Sequence, residues 1–232
     1  MRLRRIALAA WQLAIGHVAV AACAVHAAMP DVQTAASQAA MTPAAALDRL
    51  KAGNARFVSH AMAAHDWPAA ITATAAGQYP FAAVLGCMDS RAPVEIVFDQ
   101  GLGDVFTVRV AGNVVNADEL GSLEYAVSVG AKLIVVLGHT TCGAVKGAIE
   151  KAQLGNLTGL LEKIRPAVDQ AKCSDAKDDA CVTKVARENV LHSMRQIRAD
   201  SPYLAAALDE HKVKLVGAMY DIASGRVTFL EE

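Results

Sequence analysis

Lys132-Leu133-Ile134-Val135-Val136-Leu137-Gly138-His139 is the stretch that decides the fold. A short, unbroken apolar run rich in β-branched residues is what a strand needs when both faces of a parallel sheet are covered. Upstream, Phe81-Ala82-Ala83-Val84-Leu85-Gly86-Cys87 and Val105-Phe106-Thr107-Val108-Arg109-Val110 have the same character, and Glu119 to Val129 lies between with helical spacing. Strand, helix and strand in that order predict a right-handed parallel crossover. Downstream, Leu157 to Ala199 alternates charged and apolar residues in helical fashion. Val213 to Tyr220 and Val227 to Leu230 flank an Ala223-Ser224-Gly225 turn and read as a hairpin. Thr42-Pro43 offers an N-cap followed by proline at the first helical position, with Ala46, Leu47, Leu50 and Phe57 at helical spacing behind it. The expectation is an α/β domain: a mostly parallel β-sheet flanked by helices, with an N-terminal helical arm and a C-terminal hairpin strand.

The chain has 232 residues, enough for one domain with a substantial core that does not depend on disulfides. Its formal net charge of −1 gives no electrostatic reason to expect nucleic acid or an anionic membrane surface as a partner. The 54% hydrophobic content is inflated by alanine in the first forty-odd residues. That segment opens Met1-Arg2-Leu3-Arg4-Arg5, continues through an apolar stretch and ends in small residues near Ala28, the three parts of a secretory signal. A transmembrane anchor would need roughly 20 apolar residues, and Gln12, Gly16 and His17 interrupt the run. Two processing sites compete: Val25-His26-Ala27, and a lipobox-like Val20-Ala21-Ala22-Cys23 that would leave a lipid anchor at Cys23. Arg4-Arg5 also admits a twin-arginine reading, to which Ala7 is a poor match. The expected organisation is a signal peptide over 1–28, a linker over 29–41 and a catalytic domain over 42–232. The expected location is the periplasm after export, with a membrane-anchored lipoprotein as the alternative.

The chemistry-bearing residues sit at strand ends. Cys87-Met88-Asp89-Ser90-Arg91 follows one predicted strand, and His139-Thr140-Thr141-Cys142-Gly143 follows another. Carboxyl ends of neighbouring parallel strands open on one sheet edge, so residues about fifty positions apart can share a pocket. Two thiolates and an imidazole form a zinc set, and three protein ligands instead of four leave a position open for water or substrate, the mark of a catalytic site. Taken singly, Cys87 or Cys142 would be a small core residue and His139 a hydrogen-bonded core or surface histidine. Their coupling across two strand ends carries the inference.

The motif pair C-x-D-S-R and H-x-x-C-G resembles the beta-class carbonic anhydrase family, from about Thr42 to the C-terminus. Phe98-Asp99-Gln100-Gly101-Leu102-Gly103-Asp104, Arg109-Val110-Ala111-Gly112-Asn113 and Ser122-Leu123-Glu124-Tyr125-Ala126 are similar to family segments as well. The resemblance implies Zn2+ held by Cys87, His139 and Cys142. It implies reversible hydration of carbon dioxide to bicarbonate and a proton through a zinc-bound hydroxide. It also implies an Asp89–Arg91 dyad: Asp89 orients the hydroxide while Arg91 keeps it ionised. In some relatives the aspartate of this motif swings onto the zinc at lower pH, and Asp89 would be that residue. Gln78 and the Gly143 N–H are similar to positions that hydrogen-bond substrate. Phe106 and Tyr125 resemble apolar pocket walls that in this family come partly from a neighbouring subunit. The implied assembly is a homodimer or homotetramer, with carbon dioxide, water and bicarbonate as the small-molecule partners.

Cys173 and Cys181 close a short polar loop. In an oxidising compartment they read as a disulfide, which agrees with export. The nearest rival function is a carbonyl sulfide or carbon disulfide hydrolase using the same zinc constellation. A structural zinc module would need a fourth protein ligand, for which Asp89 is the candidate. A thiol oxidoreductase is disfavoured because the chain has no Cys-x-x-Cys.

Overall fold

The computed structural model describes residues 32–230. The predicted signal peptide, both processing sites and Cys23 lie outside the described residues. The central sheet has five strands in the order β2-β1-β3-β4-β5. They are β1 (Ala82–Gly86), β2 (Val105–Arg109), β3 (Leu133–His139), β4 (Lys214–Tyr220) and β5 (Val227–Phe229). The first four are parallel, and only β5 runs antiparallel, beside β4.

The period-two alternation of β1 and β3 divides the core into two layers. Val84, Leu133, Val135 and Leu137 face one cluster, which holds Ala46 and Leu50 of α2 (Pro43–Val58). Ala83, Leu85, Ile134 and Val136 face the other, which holds Leu123 and Ala126 of α5 (Ala117–Ser128), Val190 and Ile197 of α9 (Asp179–Asp200) and Leu204 of α10 (Pro202–Asp209). Covered on both faces, β3 must be apolar from Leu133 to Gly138, and every one of its residues, His139 included, is buried.

The helices start where their caps dictate. The Thr42 hydroxyl accepts from Ala45 N at 3.1 Å with Pro43 at the first position of α2. Asn116 caps α5 and Asp178 caps α9 in the same way. Short helices complete the order: α1 (Ala35–Ala40), α3 (Trp67–Thr74), α4 (Val94–Val97), α6 (Gly143–Glu150), α7 (Gly155–Glu162) and α8 (Arg165–Ala171).

One local feature differs from expectation, and two others add detail to it. Within the stretch expected to be linker, residues 35–40 form α1, because a reciprocal Thr34–Ser37 capping box closes its first turn. Its Gln38 is buried and donates to the Pro80 carbonyl at 2.8 Å, so this stretch is docked on the domain. The helical pattern from Leu157 to Ala199 is carried by three helices, broken at Lys163–Ile164 and again at 172–178. Between β2 and α5 the chain makes a 3-10 turn, Ala111–Asn113. Among the described residues, no helix is long and apolar enough to cross a membrane.

Cys173 and Cys181 are bonded in a disulfide with Cα atoms 5.6 Å apart, joining the end of α8 to the start of α9. Loop-closure entropy for about nine residues sets its contribution at about 2–3 kcal/mol. Urea unfolding of the Cys173→Ser/Cys181→Ser double variant should therefore lose about that much stability. Reductant should weaken the parent by a similar amount and leave the variant unchanged.

Candidate metal centre and active site

Parallel pairing assembles the site. Gly86 at the end of β1 lies in register with Leu137 of β3, so Cys87 emerges beside the strand end that carries His139. Cys142 is the N-cap of α6, reached through a tight turn with Thr141 at φ 54°. The ligating atoms of Cys87, His139 and Cys142 all lie within 4.8 Å of one another, and all three residues are buried.

His139 shows how the cluster is primed. Its Nδ1 lies 2.9 Å from the Thr140 carbonyl, which fixes the proton on Nδ1 and leaves the Nε2 lone pair free. That Nε2 is fully buried and has no hydrogen-bond partner. Buried polar atoms are almost always partnered, so an orphan nitrogen within 4.8 Å of two sulfurs has the character of a metal ligand.

The sulfurs carry the same signature. The Cys142 thiol beside it draws the Cys87 thiol down to about 4 against the cost of burial, with His139 and the Gly112 N–H, 3.3 Å from Cys87 Sγ, adding to the effect. Cys142 is pushed up by its contact with ionised Cys87 and by burial, although the Ala144 and Val145 N–H groups at the start of α6 favour its thiolate. The pair thus shares one proton, which a divalent cation would displace. Two thiolates and an imidazole fit Zn2+.

Beside the cluster stands a carboxylate locked by an arginine. Arg91 Nε and the Arg91 backbone N–H each reach Asp89 Oδ1 at 2.9 Å, and Arg91 Nη2 reaches Oδ2 at 2.7 Å. The guanidinium holds the Asp89 carboxyl well below the usual carboxylate range. Asp89 Oδ2 lies 3.8 Å from His139 Nε2, so the carboxylate borders the ligand atoms while both its oxygens are engaged by Arg91.

Other predicted positions divide into two groups. Gly143 opens α6 and is exposed, and a side chain there would meet nothing within 4 Å. Phe106 and Tyr125 come together edge-to-face at 5.9 Å, with Tyr125 exposed. Phe106 pairs with Ala83 near the amino end of the sheet, roughly 13 Å along the strand from Cys87 at 3.3 Å per residue. Gln78 is likewise exposed in the loop entering β1. The structure does not bring Gln78, Phe106 or Tyr125 to the Cys87–His139–Cys142 cluster of the same chain.

Sequence reading missed several supports. Arg109 Nε donates to the Cys87 carbonyl at 3.0 Å and Nη2 to the Asp89 carbonyl at 2.6 Å, bracing the loop that bears both side chains. Thr140 accepts from Ile222 N at 3.1 Å, and its own N–H donates to the Tyr220 carbonyl at 3.0 Å, tying the His139 loop to the end of β4. A charged residue at the end of an otherwise apolar strand was the available signal for Arg109. Thr140 left none.

A family model described as carbonic anhydrase matches residues 82–227. Carbonic anhydrase 2 of Mycobacterium tuberculosis is 38% identical over 194 residues, covering 79% of this chain and 91% of that protein. The carbonic anhydrase of Mycolicibacterium smegmatis is 38% identical over 195 residues, covering 80% and 92%. Among solved structures, a tetrameric beta-carbonic anhydrase of Sordaria macrospora superposes with a TM-score of 0.66 at 26% identity, covering 78% of this chain and 94% of that one. A Coccomyxa beta-carbonic anhydrase in complex with acetazolamide gives 0.63 at 26% identity, covering 80% and 82%.

Removing the arginine should release the carboxylate. In Arg91→Ala the Asp89 carboxyl should titrate near the ordinary value of about 3.9, well above the parent, as followed by carboxyl-carbon NMR. An unchanged low value would show that another group holds it.

Proposed function

The chain belongs to the beta-class carbonic anhydrase family, and on that premise we propose that it hydrates carbon dioxide as a zinc enzyme, with Cys87, His139 and Cys142 as the metal ligands. Bound there, Zn2+ supplies a Lewis acid that brings the pKa of water to about 7. The protein's part is to aim and hold. The Asp89 carboxylate accepts the hydrogen of the attacking oxygen, which turns a lone pair toward the carbon of carbon dioxide. Arg91 keeps that carboxylate ionised and fixed through three hydrogen bonds. The N–H of Gly143, the first residue of α6, donates to an oxygen of the bicarbonate that forms.

One observation carries this reading: an unpartnered His139 Nε2 stands beside two sulfurs while the neighbouring carboxylate is engaged by Arg91. A structural zinc site would take Asp89 as its fourth ligand, and the three bonds from Arg91 argue against that. The same bonds support an arrangement with the fourth position left to water.

The substrate-pocket roles of Gln78, Phe106 and Tyr125 require a second copy of the chain, because these residues stand away from their own chain's cluster. This supports a homodimer as the smallest complete unit, and a homotetramer is compatible with it. Export to the periplasm, or anchoring through Cys23, is supported by the charged and apolar leader and by the Cys173–Cys181 bridge.

Stopped-flow hydration of carbon dioxide at about pH 8.5, above the water pKa of about 7, tests the proposal. The zinc-loaded parent should be fast. Asp89→Asn should lose about 10–100-fold in kcat/KM while keeping its zinc, and Cys142→Ser should lose both zinc and activity. A zinc-loaded parent that ignores carbon dioxide but hydrolyses carbonyl sulfide or carbon disulfide would replace this reading with the rival one.

A further inference from the structure

Two polar side chains on the inner face of α9 are among the most deeply buried in the chain and take no part in the chemistry above. Asn189 is 1% exposed and Ser193 0%. They lie one turn apart and so share a face. Each is aimed at the 3-10 turn beside the Cys87 sulfur: Asn189 Nδ2 donates to the Gly112 carbonyl at 2.7 Å, and Ser193 Oγ to the Asn113 carbonyl at 3.0 Å.

The turn they hold is one the backbone resists. Gly112 has φ 70° and Asn113 φ 44°, the left-handed region that disfavours residues with a Cβ. The positive φ at 112 favours glycine, and a Cβ there would also have to displace Ile164 Cδ1, 2.6 Å away. This conformation delivers the Gly112 N–H to Cys87 Sγ, at 3.3 Å. Packing alone gives no reason for an amide at 189, because a buried polar group costs stability unless it is bonded. The Asn189 Oδ1 is in fact left without a partner. Val185, Val190 and Ile197 fill other buried positions of the same helix with apolar atoms.

We propose that Asn189, assisted by Ser193, is a positioning residue for the metal centre. It pins the Gly112 carbonyl so that the N–H of the same residue rests on Cys87 Sγ, and so sets the donor strength of that thiolate. The inference rests on the reading of Cys87 as a metal ligand. An N–H aimed at a thiolate draws charge from the sulfur and orients its lone pairs. A sulfur that loses it becomes an electron-richer and less well directed ligand.

Cobalt(II) in place of zinc makes this visible through the sulfur-to-cobalt charge-transfer absorption. In Asn189→Leu the band should move to lower energy. Zinc affinity, from competition with a chromophoric chelator, should fall about 10-fold. Ser193→Ala, which removes a single oxygen, should move both readouts in the same direction by less, and it serves as the test if Asn189→Leu does not fold. A merely structural role would lower the urea midpoint and leave the band where the parent has it. Parent-like band energies and zinc affinities in the folded variants would overturn the proposal. A parent with no sulfur-to-cobalt band would overturn the ligand assignment itself, and the proposal with it.

Discussion

The parallel pairing of β1 with β3 is the constraint on which the rest depends. It brings Cys87 and His139 to one sheet edge, and the turn after β3 then carries Cys142 to the start of α6. The pairing demands burial on both faces, which explains why β3 is apolar from Leu133 to Gly138 and why helices cover it on either side. Close packing continues to the last residue before the ligand. A Cβ on Gly138 would lie 2.6 Å from Val190 Cγ2, so α9 presses directly on the strand end that bears His139. The stability of the sheet and the precision of the site therefore have one source.

Electrostatics then separates the roles of groups packed side by side. Two thiolates side by side in a buried pocket would repel, so Cys87 is drawn down while Cys142 is pushed up, and the His139 Nε2 beside them has no hydrogen-bond partner. Asp89, close to the same atoms, stays ionised because Arg91 holds both of its oxygens. Arg91 itself is half exposed, so the dyad faces solvent while the ligand set faces the core. A water between them would touch a Lewis-acid position on one side and a carboxylate acceptor on the other.

Much of this was legible in the sequence, and the parts that were not share a physical cause. The apolar runs of β1 and β3, the Thr42-Pro43 start of α2 and the C-terminal hairpin are local signals, and each stands in the fold. The motifs around Cys87 and His139 gave the cluster because strand ends on one edge converge by topology. Interactions between segments distant in sequence were hidden. The docking of α1 through Gln38 onto Pro80, the brace from Arg109 and the contacts of Asn189 and Ser193 with the Gly112 turn all join residues that no spacing rule connects. Gln78, Phe106 and Tyr125 mark another limit: for the two aromatics the resemblance already pointed to a neighbouring subunit, but nothing local to Gln78 shows that it stands away from its own chain's cluster.

A catalytic zinc at this sheet edge would have three protein ligands, two of them sulfurs. X-ray absorption at the zinc edge of the purified protein tests it most directly. The expected result is one zinc per chain with two Zn–S distances near 2.3 Å and two lighter ligands at about 2.0–2.1 Å, the same in Asp89→Asn as in the parent. A shell of three or four sulfurs, a spectrum without sulfur, or a lighter ligand lost when Asp89 is replaced would contradict it.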